Sequence, residues 1–199
     1  MLYDDCEMIG SGVRIMRSKL IVFVFALVAI TALLSEQLTD IQTETISVTM
    51  VDTAGNEVGV VVLQPVPNER VLITANIWSL TAGYHGFHIH ETGHCEVSSD
   101  GDFVSAGGHF DMDDAQHSQH SGDLPVLLAD DTGRAFLAVH TANFHLHDLF
   151  DEDGSSLIIH AGADNFANIP ERYGTVDATT LANGDSGTRV ACGVIAAPR

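Results

Sequence analysis

From residue 46 onward, apolar and polar positions alternate with a period of two, the mark of half-buried β-strands. The alternation predicts strands over Ile46–Val51, Gly59–Gln64 and Val71–Trp78, all rich in Val, Ile and Thr. Asp52–Asn56 and Pro65–Glu69 supply the turn chemistry between them. The next strand is Gly86–Glu91, in which Phe87 and Ile89 share one face while His88 and His90 share the other. Leu124–Ala129, a turn at Asp130–Gly133, and Arg134–Thr141 read as a hairpin, followed by strands at Ser156–His160 and Thr188–Ala196. Thr92–Gly122 and Ala161–Gly187 carry no strand pattern, and no segment has a long helical period. Several short strands with two long loops predict an antiparallel barrel or sandwich. Loops of that length inside a compact domain are usually functional.

The N-terminal region departs from this pattern. Arg14, Arg17 and Lys19 precede Leu20–Leu34, a run too short to span a membrane comfortably. Basic-then-apolar order predicts a secretory leader over residues 16–34, with Met16 a better start than Met1 and residues 1–15 a dubious extension. Ile30-Thr31-Ala32 is a poor cleavage pattern, so anchoring in a membrane through an uncleaved leader stays open. Residues 35–44 form a polar spacer, and 45–199 is the expected folded domain, exported from the cytoplasm.

Composition narrows the partners. After residue 32 there are five arginines, no lysine and twenty-four acidic residues, a net charge of −19. That balance excludes nucleic acid and anionic membrane surfaces as partners. It resembles the lysine-poor surfaces of proteins from salt-loving organisms; the plainer reading is a soluble acidic secreted protein. Of Cys6, Cys95 and Cys192, the first is lost if the leader is removed. The remaining pair favours one disulfide in an oxidising compartment over two buried thiols.

Histidine and aspartate carry the chemistry. Two imidazoles side by side on a stiff strand make half of a metal site, with nitrogen donors suited to copper or zinc. Downstream stand Ala106-Gly107-Gly108-His109-Phe110, then His117, His120-Ser121-Gly122-Asp123, Ile159-His160-Ala161-Gly162-Ala163-Asp164, and Thr188-Arg189-Val190-Ala191-Cys192. In order and spacing these motifs resemble the secreted copper/zinc superoxide dismutases from about residue 44 to 196. Ala161–Tyr173 is most similar to the actinobacterial, mycobacterial-type branch.

The resemblance implies an eight-stranded antiparallel Greek-key barrel with two long functional loops, superoxide as substrate, and leaves a homodimer open. It implies copper ligands at His88, His90 and His160, an imidazole at His109 shared between copper and zinc, and zinc ligands at His117, His120 and Asp123. Asp164 would accept hydrogen bonds from His88 and His117, fixing their tautomers. Arg189 would receive the anion, His109 would carry a proton, and Cys95–Cys192 would be the family disulfide. The link Ser118-Gln119 between two zinc ligands is shorter than in many relatives. The mycobacterial-type branch has a similarly short loop and includes copper-only members, but all four zinc-ligand positions are filled here.

The other histidines need separate readings. His85 has the parity of Phe87 and reads as a core histidine, whereas His145-Leu146-His147 reads as a solvated strand end. His94 and His140 have no visible partner, and Arg172 in the second loop is the only other arginine placed to help an anion. Two competing functions remain: a secreted copper-binding or copper-delivery module on the same barrel, and a zinc hydrolase. The hydrolase needs three protein ligands and an open fourth position, which His109, His117, His120 and Asp123 would close.

Overall fold

The first strand, β1 (Ile46–Asp52), buries Ile46, Val48 and Met50 and exposes Ser47 and Thr49. The same alternation recurs in β2 (Glu57–Val66), β3 (Arg70–Ile77) and β9 (Ala135–Thr141). The structure, a computed structural model, describes residues 45–68 and 70–197. The predicted leader and spacer, with Cys6, lie outside the described residues. The remaining strands are β4 (Gly83–His85), β5 (Phe87–His90), β6 (Val97–Ser98), β7 (Gly101–Asp102), β8 (Leu127–Ala129), β10 (Ser155–His160) and β11 (Arg189–Ile195). One helix, α1 (Ala178–Asn183), sits in the second long loop.

Seven strands form an antiparallel sheet in the order β5-β10-β11-β1-β2-β3-β9. β11 returns to lie beside β1 and β9 beside β3, the long returns of a Greek key. β4 and β5 are one strand interrupted at Gly86. β4 pairs with β8, and a turn closed by Asp130 N–H donating to Arg134 O leads from β8 into β9. The sheet therefore curls toward closure between its two ends, and counting β4–β5 once gives the expected eight strands. Several element bounds differ from the sequence reading, and β8 covers only Leu127–Ala129 of the expected Leu124–Ala129. β2 runs on through Pro65 and Val66, because the fixed φ of proline is compatible with an extended strand end and Pro65 lies opposite Val71. The first long loop holds the small β6–β7 hairpin, and the second holds α1.

Two cores result. Phe87, Ile89, Leu157 and Ile159 join the main core, which is built from the inward faces of the strands. The other faces of β5 and β10 are buried as well, because the long loops lie over them. Under the first loop, Ile158 and Cys192 pack with Phe103 and Ala106 in a second, smaller core. Cys95 and Cys192 are joined there as a disulfide across 97 residues, with Cα atoms 5.7 Å apart. Closing so long a loop stabilises by about 4–5 kcal/mol in the chain-entropy description. Cys95→Ser is therefore expected to lower the unfolding free energy by about that amount in denaturant titration.

Candidate metal centre

The site starts from strand register. On β5 and β10, His88 lies opposite Ile158 and His90 opposite Ser156, so both imidazoles share a face with His160 two positions along. His160 N–H donates to Gly86 O, placing its ring beside that of His88 at a centroid distance of 5.0 Å. The free edge of β5 captures the first loop: Phe110 N–H donates to Ile89 O, and Ile89 N–H to Gly122 O. These bonds bring His109 opposite His90 and Asp123 opposite His88. All predicted ligands thus come together on one wall, each histidine residue at most 8% exposed.

His88, His90, His109 and His160 each have one ring nitrogen tied down and one left over. His88 Nε2 lies 2.8 Å from Asp164 Oδ2, and His117 Nε2 lies 2.8 Å from Asp164 Oδ1. His90 Nδ1 is 3.0 Å from Gly107 O, and His160 Nδ1 is 3.0 Å from Gly187 O. The nitrogens left buried without a partner are His88 Nδ1, His90 Nε2, His109 Nε2 and His160 Nε2, whereas His117 Nδ1 lies 3.1 Å from Asp123 Oδ2. A buried polar atom without a partner costs free energy, so this set of lone pairs fits a bound cation. His88, His90, His109 and His160 form one group whose donor atoms lie within 4.8 Å of one another, a nitrogen set suited to copper.

The second donor set lies on the other side of His109. Its Nδ1 is 2.7 Å from Asp123 Oδ1 and 3.3 Å from His120 Nδ1. His117 Nδ1 and His120 Nδ1 stand 3.1 and 3.2 Å from Asp123 Oδ2. Tetrahedral ligands at about 2.0–2.1 Å from zinc lie roughly 3.3 Å from each other, so the spacing fits that ion. Across the Ser118-Gln119 link, His117 and His120 both reach Asp123 Oδ2. The donors that lie mutually within 4.8 Å are those of His88, His109, His117 and Asp123, with His120 beside them at 3.3 Å from His109 Nδ1. Asp164 occupies His88 Nε2, and the Nδ1 of His88 belongs to the first set.

Electrostatics follow from burial and the two carboxylates. Burial, then the neighbouring His88, pushes His160 down to about 3. Burial, with His88 and His117 nearby, brings His109 to about 4 despite its Asp123 hydrogen bond. Burial and His109 hold His90 well below its ordinary 6.5. Burial also opposes charge on His117, but hydrogen bonds that its ring donates to Asp123 and Asp164 raise it to about 9. Burial would raise Asp123 and Asp164, yet their histidine partners hold both well below the carboxylate range. For the metal-free chain this fixes the pH dependence. His117 contributes stability that is full below 6.5 and lost as pH rises through about 9; His109 and His160 are neutral when folded, so stability falls as pH drops from 6.5 toward 4 and 3. Melting temperatures of metal-free protein should peak near pH 6.5 and decline on both sides.

Arg189 reaches the site because of a bulge. Strict alternation from Cys192 would turn Val190 to the loop side and Arg189 to the core. The register shifts between Ile159 and His160, which puts Arg189 opposite His160, and Val190 packs against the main core instead. The guanidinium donates from Nη1 to Phe103 O at 2.6 Å and from Nη2 to Gly107 O. Gly107 O thus holds both Arg189 and the His90 ring. Arg172, in contrast, is exposed and its Cζ lies 4.7 Å over the Tyr173 ring.

Several supporting residues escape a sequence reading. His117 N–H donates to Leu181 O on α1, so the helix carries part of the second donor set. Gly184 caps α1 with φ of 62° and touches Asp164; a Cβ there would stand 1.9 Å from Asp164 Oδ1. Glu91 Oε1 accepts from Gly108 N–H at 2.7 Å and Glu91 N–H donates to Gly108 O, steadying the segment that presents His109. The signal for α1 was present: Asp177 as N-cap, its side chain accepting from Thr180 N–H, and Gly184 after the last turn. His85 is buried, its ring nitrogens 2.7 Å from His160 O and 2.9 Å from Thr81 O, as expected of a satisfied core histidine. His94 and His140 are exposed.

Fold and donor sets define a class: an all-β barrel whose edge strand presents two adjoining sets of metal-type donors that meet at His88 and His109. A family profile described as copper/zinc superoxide dismutase matches residues 57–195. The chain belongs to the copper/zinc superoxide dismutase family. Superoxide dismutase [Cu-Zn] of Mycobacterium bovis is 46% identical over 138 residues, covering 62% of this chain and 58% of that protein. The crystallised Cu/Zn superoxide dismutase from Brucella abortus aligns with a TM-score of 0.62 at 33% identity, over 76% of this chain and 99% of that one. An SOD-like protein from Bacillus subtilis aligns with a TM-score of 0.63 at 31% identity, over 75% and 97%. The chain therefore spans little more than half the length of its mycobacterial relative.

Proposed function

We propose that this protein is an exported superoxide dismutase, converting two superoxide ions and two protons to oxygen and hydrogen peroxide. The observation that carries the reading is the convergence of four buried, partnerless imidazole nitrogens on His88, His90, His109 and His160. These residues are the copper ligands; His109, His117, His120 and Asp123 are the zinc ligands. Copper held there supplies a reversible one-electron couple for superoxide, and zinc supplies a fixed positive charge on the far side of His109. Asp164 fixes the tautomers of His88 and His117, so that each turns its Nδ1 to a metal. His109 Nε2 would carry one proton to the reduced substrate while it is not holding the metal, with the second proton coming from water. Arg189 spends two N–H groups on carbonyls and keeps three of its five donors for the anion. Export is supported by the disulfide and by the basic-then-apolar order of residues 14–34.

The copper-delivery reading leaves the arginine at the metal unexplained. The hydrolase reading needs an open zinc position, which four converging donors do not leave.

Charge sets the test. The far field of a protein with a net charge of −19 repels an anion, and Glu91, Asp111 and Asp114 line an open depression of about 550 Å³ beside His109 and His120. Attraction therefore comes at contact, from copper and Arg189. Screening over about 8 Å at 0.15 M salt weakens distant carboxylates more than it weakens Arg189. The rate constant for superoxide consumption is expected to stay flat or rise as salt goes from low to moderate. Arg189→Ala is expected to lower it about tenfold or more at every salt concentration, the worth of a charge-assisted hydrogen bond. A steep fall with salt, or an unaffected Arg189→Ala rate, counts against this delivery route.

A further inference from the structure

Among the described residues outside the site above, one cluster of side chains has the chemistry of a metal ligand set: His145, His147 and Asp148. The sequence reading places His145-Leu146-His147 at a strand end. It lies instead at the start of a 3₁₀ turn spanning Leu146–Leu149, with His145 as its N-cap. Phe144, Leu146 and Leu149 are buried in the main core, which pins this backbone and turns the intervening His145 and His147 outward. Their side chains are 50% and 80% exposed, whereas that of Asp148 is 18% exposed. Asp148 is held in place by accepting from His145 N–H at 2.7 Å. Its carboxylate faces both rings: Oδ2 lies 3.5 Å from His145 Nδ1, and Oδ1 lies 3.4 Å from His147 Nε2. The two rings stack at 5.3 Å with an angle of 26°.

We propose that His145, His147 and Asp148 form a third, solvent-facing site for a divalent late transition-metal ion, copper(II) ahead of zinc. Three observations support it. The donor separations of 3.4 and 3.5 Å lie at the tetrahedral edge of about 3.3 Å for bonds of about 2.0–2.1 Å, and exposed side chains close them to the roughly 2.9 Å of a square-planar copper(II) set by a rotation of the rings. Two imidazoles and a carboxylate are the nitrogen-and-oxygen set that copper(II) favours, and its affinity stands above that of zinc for such donors. Asp151, Glu152 and Asp153 follow directly in the sequence, so the local potential attracts a cation. Three ligands on an exposed turn leave the other positions to water. The bound ion therefore exchanges with solvent, unlike one held on the buried wall under the loops. This site shares no residue with the buried donor sets and does not depend on the dismutase reading.

The test uses the full chain, purified without a histidine tag and with its buried sites already loaded. Equilibrium dialysis against chelator-buffered copper(II) is expected to add one metal equivalent. His147→Asn should weaken that binding at least tenfold, and the pair His145→Asn and His147→Asn should abolish it, with the rate of superoxide consumption unchanged. The difference electron paramagnetic resonance spectrum of the native chain should show coupling to two imidazole nitrogens. No added equivalent, an equivalent that persists in the double variant, or an all-oxygen spectrum would each overturn the proposal. The spectrum of the native chain decides even if the double variant fails to fold.

Discussion

Replacing His160 with alanine is expected to remove copper and to lower superoxide dismutation about a thousandfold or more, with the fold intact. The His160 ring contributes Nε2, one of the four partnerless buried nitrogens of the first set, and no other described side chain stands ready to replace it. Lewis-acid and redox chemistry at a metal is worth several kcal/mol, and each ~1.4 kcal/mol is a factor of ten in rate. The backbone at His160 keeps its bond to Gly86 O, Ile158 and Ile159 keep their cores, and the disulfide lies elsewhere on β11. Metal analysis should show copper lost and circular dichroism a retained β signature. An active variant with full copper would remove His160 from the ligand set.

The second large effect is expected at a residue that touches no metal. Gly184→Ala places a methyl group 1.9 Å from Asp164 Oδ1 and 2.6 Å from His117 Nε2, closer than any real contact. The carboxylate must move, and with it go the hydrogen bonds that fix the tautomers of His88 and His117. Loss of such a partner costs about 10–100-fold in metal affinity. Backbone strain adds about 1 kcal/mol, since φ of 62° suits glycine. Gly55→Ala separates the two causes: its φ is 80°, yet nothing lies within 4 Å of the new Cβ. That control should lose a little stability and no metal. If Gly184→Ala retains copper and zinc as tightly as the Gly55→Ala control, α1 does not support the site in the way described.

These two residues mark the boundary of what the sequence makes legible. His160 is readable because period-two alternation fixes which residues share a face, and His88, His90 and His160 obey it. Phe87 and Ile89 are readable for the same reason, as the other side of that alternation. Arg189 breaks it. The bulge opposite His160 reverses the sides of Arg189 and Val190, so periodicity alone would bury the arginine in the core, and only the family resemblance places it at the metal. Contacts between distant loops are harder still. That Gly184 touches Asp164 depends on how the second loop folds back, which no local pattern encodes. The six residues of α1 are too few for a helical period to stand out, although its caps at Asp177 and Gly184 were visible. Likewise, β4 at Gly83–His85 lies ahead of the predicted Gly86–Glu91 strand, and no alternation marks it.

The central claim is that one wall of the barrel holds two adjoining metals and that copper there turns over superoxide. The most direct measurement takes one purified sample, strips loosely held ions with a chelator, and determines copper, zinc and superoxide consumption together. The account predicts one copper and one zinc per chain, with activity that rises in proportion to copper and falls to background when copper is removed. A chain that retains full copper and consumes no superoxide, or that consumes it at full rate without copper, would contradict it.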